Sequence, residues 1–227
     1  MREVNALKGY PEPKEPRYVS PNIKTIKNRI IASYRDKRYY DGDRNNGYGG
    51  FNYDGRWVPI AQNMYQEYGL QEDYAVLQVG CEKGFLLHDF HQLYPEMKVR
   101  GTDISNYGIE HAMEDIKPFI QKAPFTELPF EDNEFDLVIA IGVIYTLNLA
   151  DAIKCLKEIQ RVGKGKSFVT LGAYRTEEEM RLFEWWTVLA TTILHEDEWV
   201  EVLQHVGYTG DYKFTTARSL NLVESKD

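Results

Sequence analysis

Cysteine is scarce: there are two among 227 residues, Cys81 and Cys155, far apart in the chain. Two such thiols give no disulfide framework and no metal-ligand spacing, and a reducing cytoplasm is the compartment they fit. The five histidines show no ligand spacing either, so no metal is expected. Long hydrophobic runs are missing. The most apolar stretch, Leu137 to Leu149, falls short of the roughly 20 residues a helical span needs, and Gly142 interrupts it. The opening residues carry Pro11, Pro13 and Pro16 among polar neighbours and do not read as a leader. Positive charge is also in short supply. A formal net charge of −8 argues against nucleic acid as a partner. The expectation is a cytoplasmic protein with neither nucleic acid nor membrane among its partners.

What charge there is lies unevenly. Residues 1–44 hold 11 Lys and Arg against 6 Asp and Glu, a surplus of five, which leaves −13 for the remainder. Two accounts stand, a solvated basic helix or a basic arm folded over a site for an anionic substrate. After a proline-rich arm over 1–21, Ile23, Ile26, Ile30, Ile31 and Tyr34 recur at helical spacing. The periodicity predicts an amphipathic basic helix from Asn22 to about Arg38. Residues 39–57 then bring five glycines and six aromatics. Glycine on that scale excludes a regular helix. A structured loop is predicted, either stapled to the core by its rings or acting as a lid that meets a ligand. We divide the chain at 1–57 for arm, helix and lid and at 58–227 for one α/β domain.

In that domain strand and helix patterns alternate. Strands are predicted over Ala75–Val79, Lys98–Thr102, Phe119–Lys122, Phe135–Ile141 and Lys166–Gly172, with terminal strands at Tyr212–Ala217 and Leu220–Glu224. Helices are predicted over Val58–Leu70, Gly84–Leu93, Tyr107–Asp115, Ala150–Arg161, Glu177–Ile193 and Glu196–His205. Near-continuous Val, Ile and Leu runs mark strands covered on both faces. The fold class is α/β: a Rossmann-like, doubly wound, mostly parallel sheet of about seven strands, the C-terminal ones antiparallel.

The first strand leads into Gly80-Cys81-Glu82-Lys83-Gly84, and the second ends on Asp103, nineteen positions past Gly84. A glycine turn followed by an acid on the neighbouring strand is a nucleoside pocket, the acid accepting ribose hydroxyls. Glu82 stands where a dinucleotide site wants glycine, and its charge would oppose a pyrophosphate. A phosphate-free, cationic nucleoside suits the turn better.

With this turn, Asp103, the phrase Glu127-Leu128-Pro129-Phe130-Glu131-Asp132-Asn133-Glu134-Phe135-Asp136-Leu137-Val138-Ile139 and the helix before Gly207-Tyr208, the chain from about Trp57 onward resembles the class I S-adenosylmethionine-dependent methyltransferases. The Tyr/Gly lid and Gly207-Tyr208-Thr209-Gly210-Asp211 also resemble small members from bacterial surface-polysaccharide gene clusters. The resemblance implies S-adenosylmethionine as cofactor. It implies contacts from Gly80, Cys81 and Gly84, ribose recognition by Asp103, adenine contacts from Ile104, Phe125 and Thr126, and Ile141 beneath the methyl group. Arg56 would grip the cofactor carboxylate, and Arg44, Tyr48 and Tyr53 would meet the substrate. Three positions depart from the family pattern: Gln78 for an acid, Glu82 for glycine and Pro124 for Asp or Asn. Methyl transfer needs placement of the acceptor above all, with a base only where a proton must leave. Tyr145 and Tyr40 are the leading catalytic candidates, with Asp41, Asp43 and His195 behind them. The alternative role of Asp103 is that of a helix cap alone. Two functions stay open: methyl transfer to oxygen or nitrogen of a small anionic acceptor, such as a sugar or phosphorylated metabolite, and a non-catalytic partner protein of the same fold. Trp185-Trp186 would supply a face for a homo-oligomer or another partner.

Overall fold

The computed structural model describes residues 1–225. The arm is ordered by pairing: β1 (Arg2–Glu3) and β2 (Arg17–Val19) each join a strand from the far end of the chain. The predicted basic helix is two helices, α1 (Ile26–Ser33) and α2 (Lys37–Tyr40). Arg35 breaks it by taking a left-handed φ of 47°, and the Asp36 carboxylate then accepts the Arg38 N–H at 2.9 Å to start α2. The lid follows, and α3 (Val58–Glu67) opens on Pro59, where a missing N–H costs nothing.

The α/β domain runs β3 (Ala75–Val79), α4 (Phe85–Leu93), β4 (Lys98–Asp103), α5 (Asn106–Glu110), β5 (Ile120–Lys122), β6 (Leu137–Ala140), α6 (Leu149–Val162) and β7 (Ser167–Tyr174). Then come α7 (Glu177–Trp186), β8 (Leu194–His195), α8 (Glu196–His205), β9 (Asp211–Thr215) and β10 (Leu222–Glu224). The main sheet has eight strands in the order β1-β9-β7-β6-β3-β4-β5, with β8 pairing the end of β7. Alternate residues feed opposite faces, as the pleat requires. Leu77, Val79, Val138 and Val169 pack with Leu156 and Ile159 of α6 and Trp199 of α8. Val76, Val99, Leu137 and Ile139 pack with Ile60 and Met64 of α3 and with Leu86 and Phe90 of α4.

The mostly parallel, doubly wound sheet expected from the sequence is present. Its antiparallel C-terminal strands are not. The chain reaches β9 from β7 through two helices, and such a crossover returns a strand parallel to the one it left. β10 leaves the main sheet and pairs in parallel with β2. α7 also stops at Trp186, short of Ile193, where the Thr187 hydroxyl accepts the Ala190 N–H at 3.0 Å and turns the chain.

Arg161 at the end of α6 fastens the loop ahead of β6. It bonds Glu158 at 2.7 Å, Asp132 at 2.9 Å, and the carbonyls of Phe130 and Leu128 at 2.8 and 2.9 Å. Arg161→Ala should cost about 2 kcal/mol, since several charge-assisted bonds vanish while exposure softens the loss. Thermal unfolding followed by circular dichroism should show a melting temperature lower by about 5 °C.

Candidate functional site

Strand order reverses between β3, which continues to β4, and β6 on its other side. In an open parallel sheet the crevice at the carboxyl ends of two such strands is where ligands sit. The β3 turn lies there. Gly80 has φ of +71°, and a Cβ on it would fall 2.3 Å from Val143 Cγ2, so the left-handed turn and the close approach both demand glycine. Glu82 is left-handed as well, at φ of +55°, although it has a Cβ. That conformation costs about 1–2 kcal/mol.

Asp103 is 1% exposed at the tip of β4. One carboxylate oxygen accepts the Glu82 N–H at 2.8 Å and the other accepts the Ser105 N–H at 2.7 Å. Burial pushes its pKa up against the downward pull of these bonds. The cap of α5 belongs to another residue: the Ser105 hydroxyl accepts the Gly108 N–H at 2.9 Å. Asp103 thus orders the turn and presents a buried anion beside it. A carboxylate offers about four lone-pair sites, so two remain for hydroxyl donors.

Glu82 lies next to it in charge and in space. Burial, then the neighbouring Asp103, push its pKa up to about 8, against the Tyr48 hydrogen bond, Arg35 and Lys83. The Tyr48 hydroxyl donates to both Glu82 oxygens, at 2.8 and 3.0 Å. Lys83, the next residue, also reaches the lid. Its ammonium meets Asp41 at 2.8 Å and the Phe51 carbonyl at 2.8 Å, while the Tyr107 hydroxyl donates to Asp41 at 2.8 Å. Two adjacent turn residues therefore latch the lid from opposite sides. Above them Tyr40, Tyr48, Phe51 and Tyr107 stack at centroid distances of 4.2 to 6.0 Å. This lid is folded down over the turn.

Several predicted residues converge here. Gly80 touches the Phe125 and Val143 side, Tyr48 meets Glu82, and Tyr40 is buried in the ring stack with a hydroxyl that finds no partner. Tyr145 follows β6, its hydroxyl beside Gly142 and its ring edge-on to Phe183. Burial, then Glu82, raise its pKa to about 12, so at neutral pH it is a hydrogen-bond donor and not a base. The same forces, burial foremost, push Tyr40 further up. Ile104 is partly exposed beside Asp103, Thr126 half-buried and Ile141 half-buried at the end of β6.

Others are drawn elsewhere. Cys81 is buried, its sulfur lying where a Cβ on Gly101 would be, and its thiol is pushed up by burial. Gly84, at φ of +74°, turns toward Ile116 and Ile120. Arg56 bonds Asp54 at 2.8 Å and the Tyr10 hydroxyl at 3.4 Å. Tyr53 donates to Asp89 of α4 at 2.6 Å, and Arg44 bonds the Tyr48 carbonyl at the lid's outer edge. Asp43 caps the short turn at Arg44, accepting the Asn45 N–H at 2.7 Å, and His195 caps α8. Pro124 is exposed. Sequence reasoning missed Lys83 and Tyr107 as partners of Asp41. A charged pair in the middle of a glycine turn was the available signal.

The chemistry of the donor set fits an S-adenosyl cofactor. Gln78 is 6% exposed, and its amide oxygen is buried without a partner beneath the turn. The hydroxyls of Tyr40 and Thr102 are orphaned in the same way. Half-buried Glu82 and buried Asp103 add two carboxyls that have Arg35 and Lys83 as neighbouring cations, and Lys83 is committed to Asp41. A buried amide oxygen without a donor and two unpartnered hydroxyls, beside two neighbouring acid groups, suit a cationic ligand rich in hydroxyl and ammonium groups.

The fold is Rossmann-like, with a crevice at the switch point between β3 and β6. Residues 77–171, less than half of the chain, match the family described as "Methyltransferase domain". A stretch of 103 residues is 35% identical to cycloartenol-C-24-methyltransferase of Arabidopsis thaliana, covering 42% of this chain and 30% of that one. Another of 102 residues is 30% identical to malonyl-[acyl-carrier protein] O-methyltransferase of Legionella pneumophila, covering 43% and 36%. The chain thus spans about a third of the length of the curated relatives it matches. The fold is shared with YcgJ of Bacillus subtilis, at a TM-score of 0.55 and 16% identity over 67% of this chain and 68% of that one. Among the described residues no helix is long and apolar enough to cross a membrane, and no cluster of potential metal ligands occurs.

Proposed function

We propose that this protein transfers the methyl group of S-adenosylmethionine to an oxygen or nitrogen of a small anionic acceptor. The observation that carries this reading is the acid pair at the strand ends: half-buried Glu82 beside buried Asp103, on the turn that follows Gln78, whose buried amide oxygen has no partner. When bound, the cofactor supplies an already activated methyl group. Asp103 would accept the ribose hydroxyls, Gln78 would accept from the methionyl ammonium, and Glu82 would face positive charge. Gly80 allows backbone approach, with Phe125 and Ile104 flanking the adenine. Arg35 bonds Thr146 at 3.2 Å beyond β6 and supplies a cation between the lid and that loop for the acceptor's negative charge. Tyr145, held as a neutral phenol, would orient the acceptor by donating a hydrogen bond. Excluding water falls to the lid, whose Tyr48 and Phe51 must yield to admit ligand.

Titration calorimetry with S-adenosylmethionine, S-adenosylhomocysteine and NADH tests the reading directly. The two adenosyl ligands should bind at micromolar concentrations and NADH should not. Tight NADH binding, or no binding of any of the three at millimolar ligand, would remove the proposal. A second reading, a non-catalytic protein of the same fold, has one observation in its favour: Tyr48 closes on Glu82 where a glycine would leave space. It predicts the absence of adenosyl binding in the same experiment.

A further inference from the structure

The apolar stripe of α1 faces the wrong way for a core. Ile26 is 72% exposed, Tyr34 64%, Ile30 51% and Ile23 41%, and none of them joins a hydrophobic cluster. A surface helix of a globular domain ordinarily turns that stripe inward. Here two cations decide the orientation. Lys24 bonds the carbonyl of Trp186, and Arg29 bonds the carbonyl of Glu184 at 2.6 Å. Both carbonyls belong to the last turn of α7, where unpaired C=O groups and the helix dipole attract positive charge. With its cationic side anchored there, the helix must display its isoleucines to solvent.

The surroundings of the stripe are basic. Residues 20–40 contain six Lys and Arg and a single acid, Asp36, which is itself paired with Arg38. Lys27, Lys37 and Arg38 are exposed beside the isoleucines, and the Arg38 guanidinium lies 5.1 Å from the centre of the Tyr34 ring. The segment carries a surplus of five positive charges on a protein of net −8, and Lys27 and Lys37 are the exposed cations of it that are not engaged with α7, Thr146 or Asp36. A second copy of the chain is a poor occupant, because a two-fold contact would set this charge against itself. The occupant has to be anionic, with an apolar layer into which single side chains can sink.

The geometry points to a peripheral docking surface for an anionic lipid membrane, formed by Ile23, Ile26, Ile30 and Tyr34 within a ring of Lys27, Lys37 and Arg38. The helix lies in the interface plane, isoleucines in the acyl boundary and cations at the headgroups. The strongly acidic remainder of the molecule is repelled from the same surface, which fixes the docked orientation. Because α1 is followed, after the break at Arg35, by α2 and the lid, docking sets the lid side of the protein toward the membrane. The sequence-based expectation of no membrane partner is revised for surface contact alone, and the inference does not depend on the methyl-transfer reading.

Vesicle co-sedimentation of the full chain tests it, using phosphatidylcholine alone and phosphatidylcholine with about a third phosphatidylglycerol. Binding should be confined to the anionic vesicles and should weaken with added salt. Ile26→Asp/Ile30→Asp should reduce it about tenfold or more, and Lys27→Glu/Lys37→Glu should do the same. Leu149→Asp, at another exposed apolar position, should leave it unchanged. All variants are checked for an unaltered melting temperature. Failure to bind anionic vesicles, equal binding to neutral ones, or indifference to Ile26→Asp/Ile30→Asp would overturn the proposal. So would a concentration-dependent dimer in light scattering that the isoleucine variant abolishes.

Discussion

Asp103→Asn should damage this protein nearly as much as Asp103→Ala. The aspartate accepts one backbone N–H on each oxygen, from Glu82 and Ser105, in a site closed to solvent. Asparagine is close in shape but presents an NH2 group in place of one oxygen, so a donor would face a donor. Alanine leaves both N–H groups without an acceptor. Hydrogen bonds to a charged acceptor contribute about 1.5–3 kcal/mol each, and burial prevents water from replacing them. Each variant should therefore lose about 3–5 kcal/mol, which lowers the melting temperature by about 10 °C. The proposed function adds a second consequence. With the ribose acceptor gone, affinity for S-adenosylmethionine and S-adenosylhomocysteine should fall together by about 100-fold or more, because the two share the ribose. Calorimetry on protein verified as folded at low temperature separates the two effects. Normal affinity in Asp103→Ala would mean that the acid only shapes the turn.

The parts of the molecule legible in its sequence are those fixed by short-range pattern. The strand over Ala75–Val79 was bounded to the residue, because four of its five residues are buried and its end is marked by Gly80. The helix over Glu196–His205 was equally plain, with three acids in its first turn and a glycine two residues past its end. Long-range pairings decide the rest. Nothing near Lys24 or Arg29 announces that their partners are carbonyls of α7, over 150 positions away, yet those contacts turn the α1 stripe outward. The lid latch is similar: Tyr48–Glu82 and Lys83–Asp41 join segments 34 and 42 positions apart. The aromatics and glycines of the lid could be read as a structured loop, but not which rings meet the turn. Arg56 and Tyr53 illustrate the difficulty. Each has the chemistry for a ligand contact, and each is held by a nearer partner, Asp54 and Asp89.

Glu82 carries the other large prediction, because it makes the site respond to the charge of what it binds. S-Adenosylmethionine carries a sulfonium that S-adenosylhomocysteine lacks, and the two are otherwise alike. In the ligand-free protein the Glu82 pKa is near 8, raised by burial and by Asp103. Near neutral pH it is largely protonated, and its carboxylate form is the one that favours a cation. Binding of the sulfonium ligand should therefore release a proton and tighten as pH rises from about 6.5 to 8.5, by about tenfold, while the thioether ligand responds far less. The tyrosines around Glu82 do not titrate in this window. Tyr39, Tyr40 and Tyr48 are pushed well up by burial and Tyr145 to about 12, whereas Asp103, itself pushed up by burial, couples to Glu82. Lys83 is paired with Asp41. Glu82→Gln removes the titration and leaves an acceptor for the Tyr48 hydroxyl. It should reduce the preference for the sulfonium over the thioether by about tenfold and flatten the pH dependence, with ligand amine titration unchanged as a built-in control. Stability has the matching sign. A carboxyl whose folded pKa exceeds its unfolded value of 4.5 stabilises the fold fully below that pH and loses the contribution as pH climbs through 8. The wild-type melting temperature should therefore drop between about pH 6 and pH 9 by several degrees more than that of Glu82→Gln. A wild-type protein that binds both ligands equally at every pH would show that Glu82 faces the lid and not the ligand.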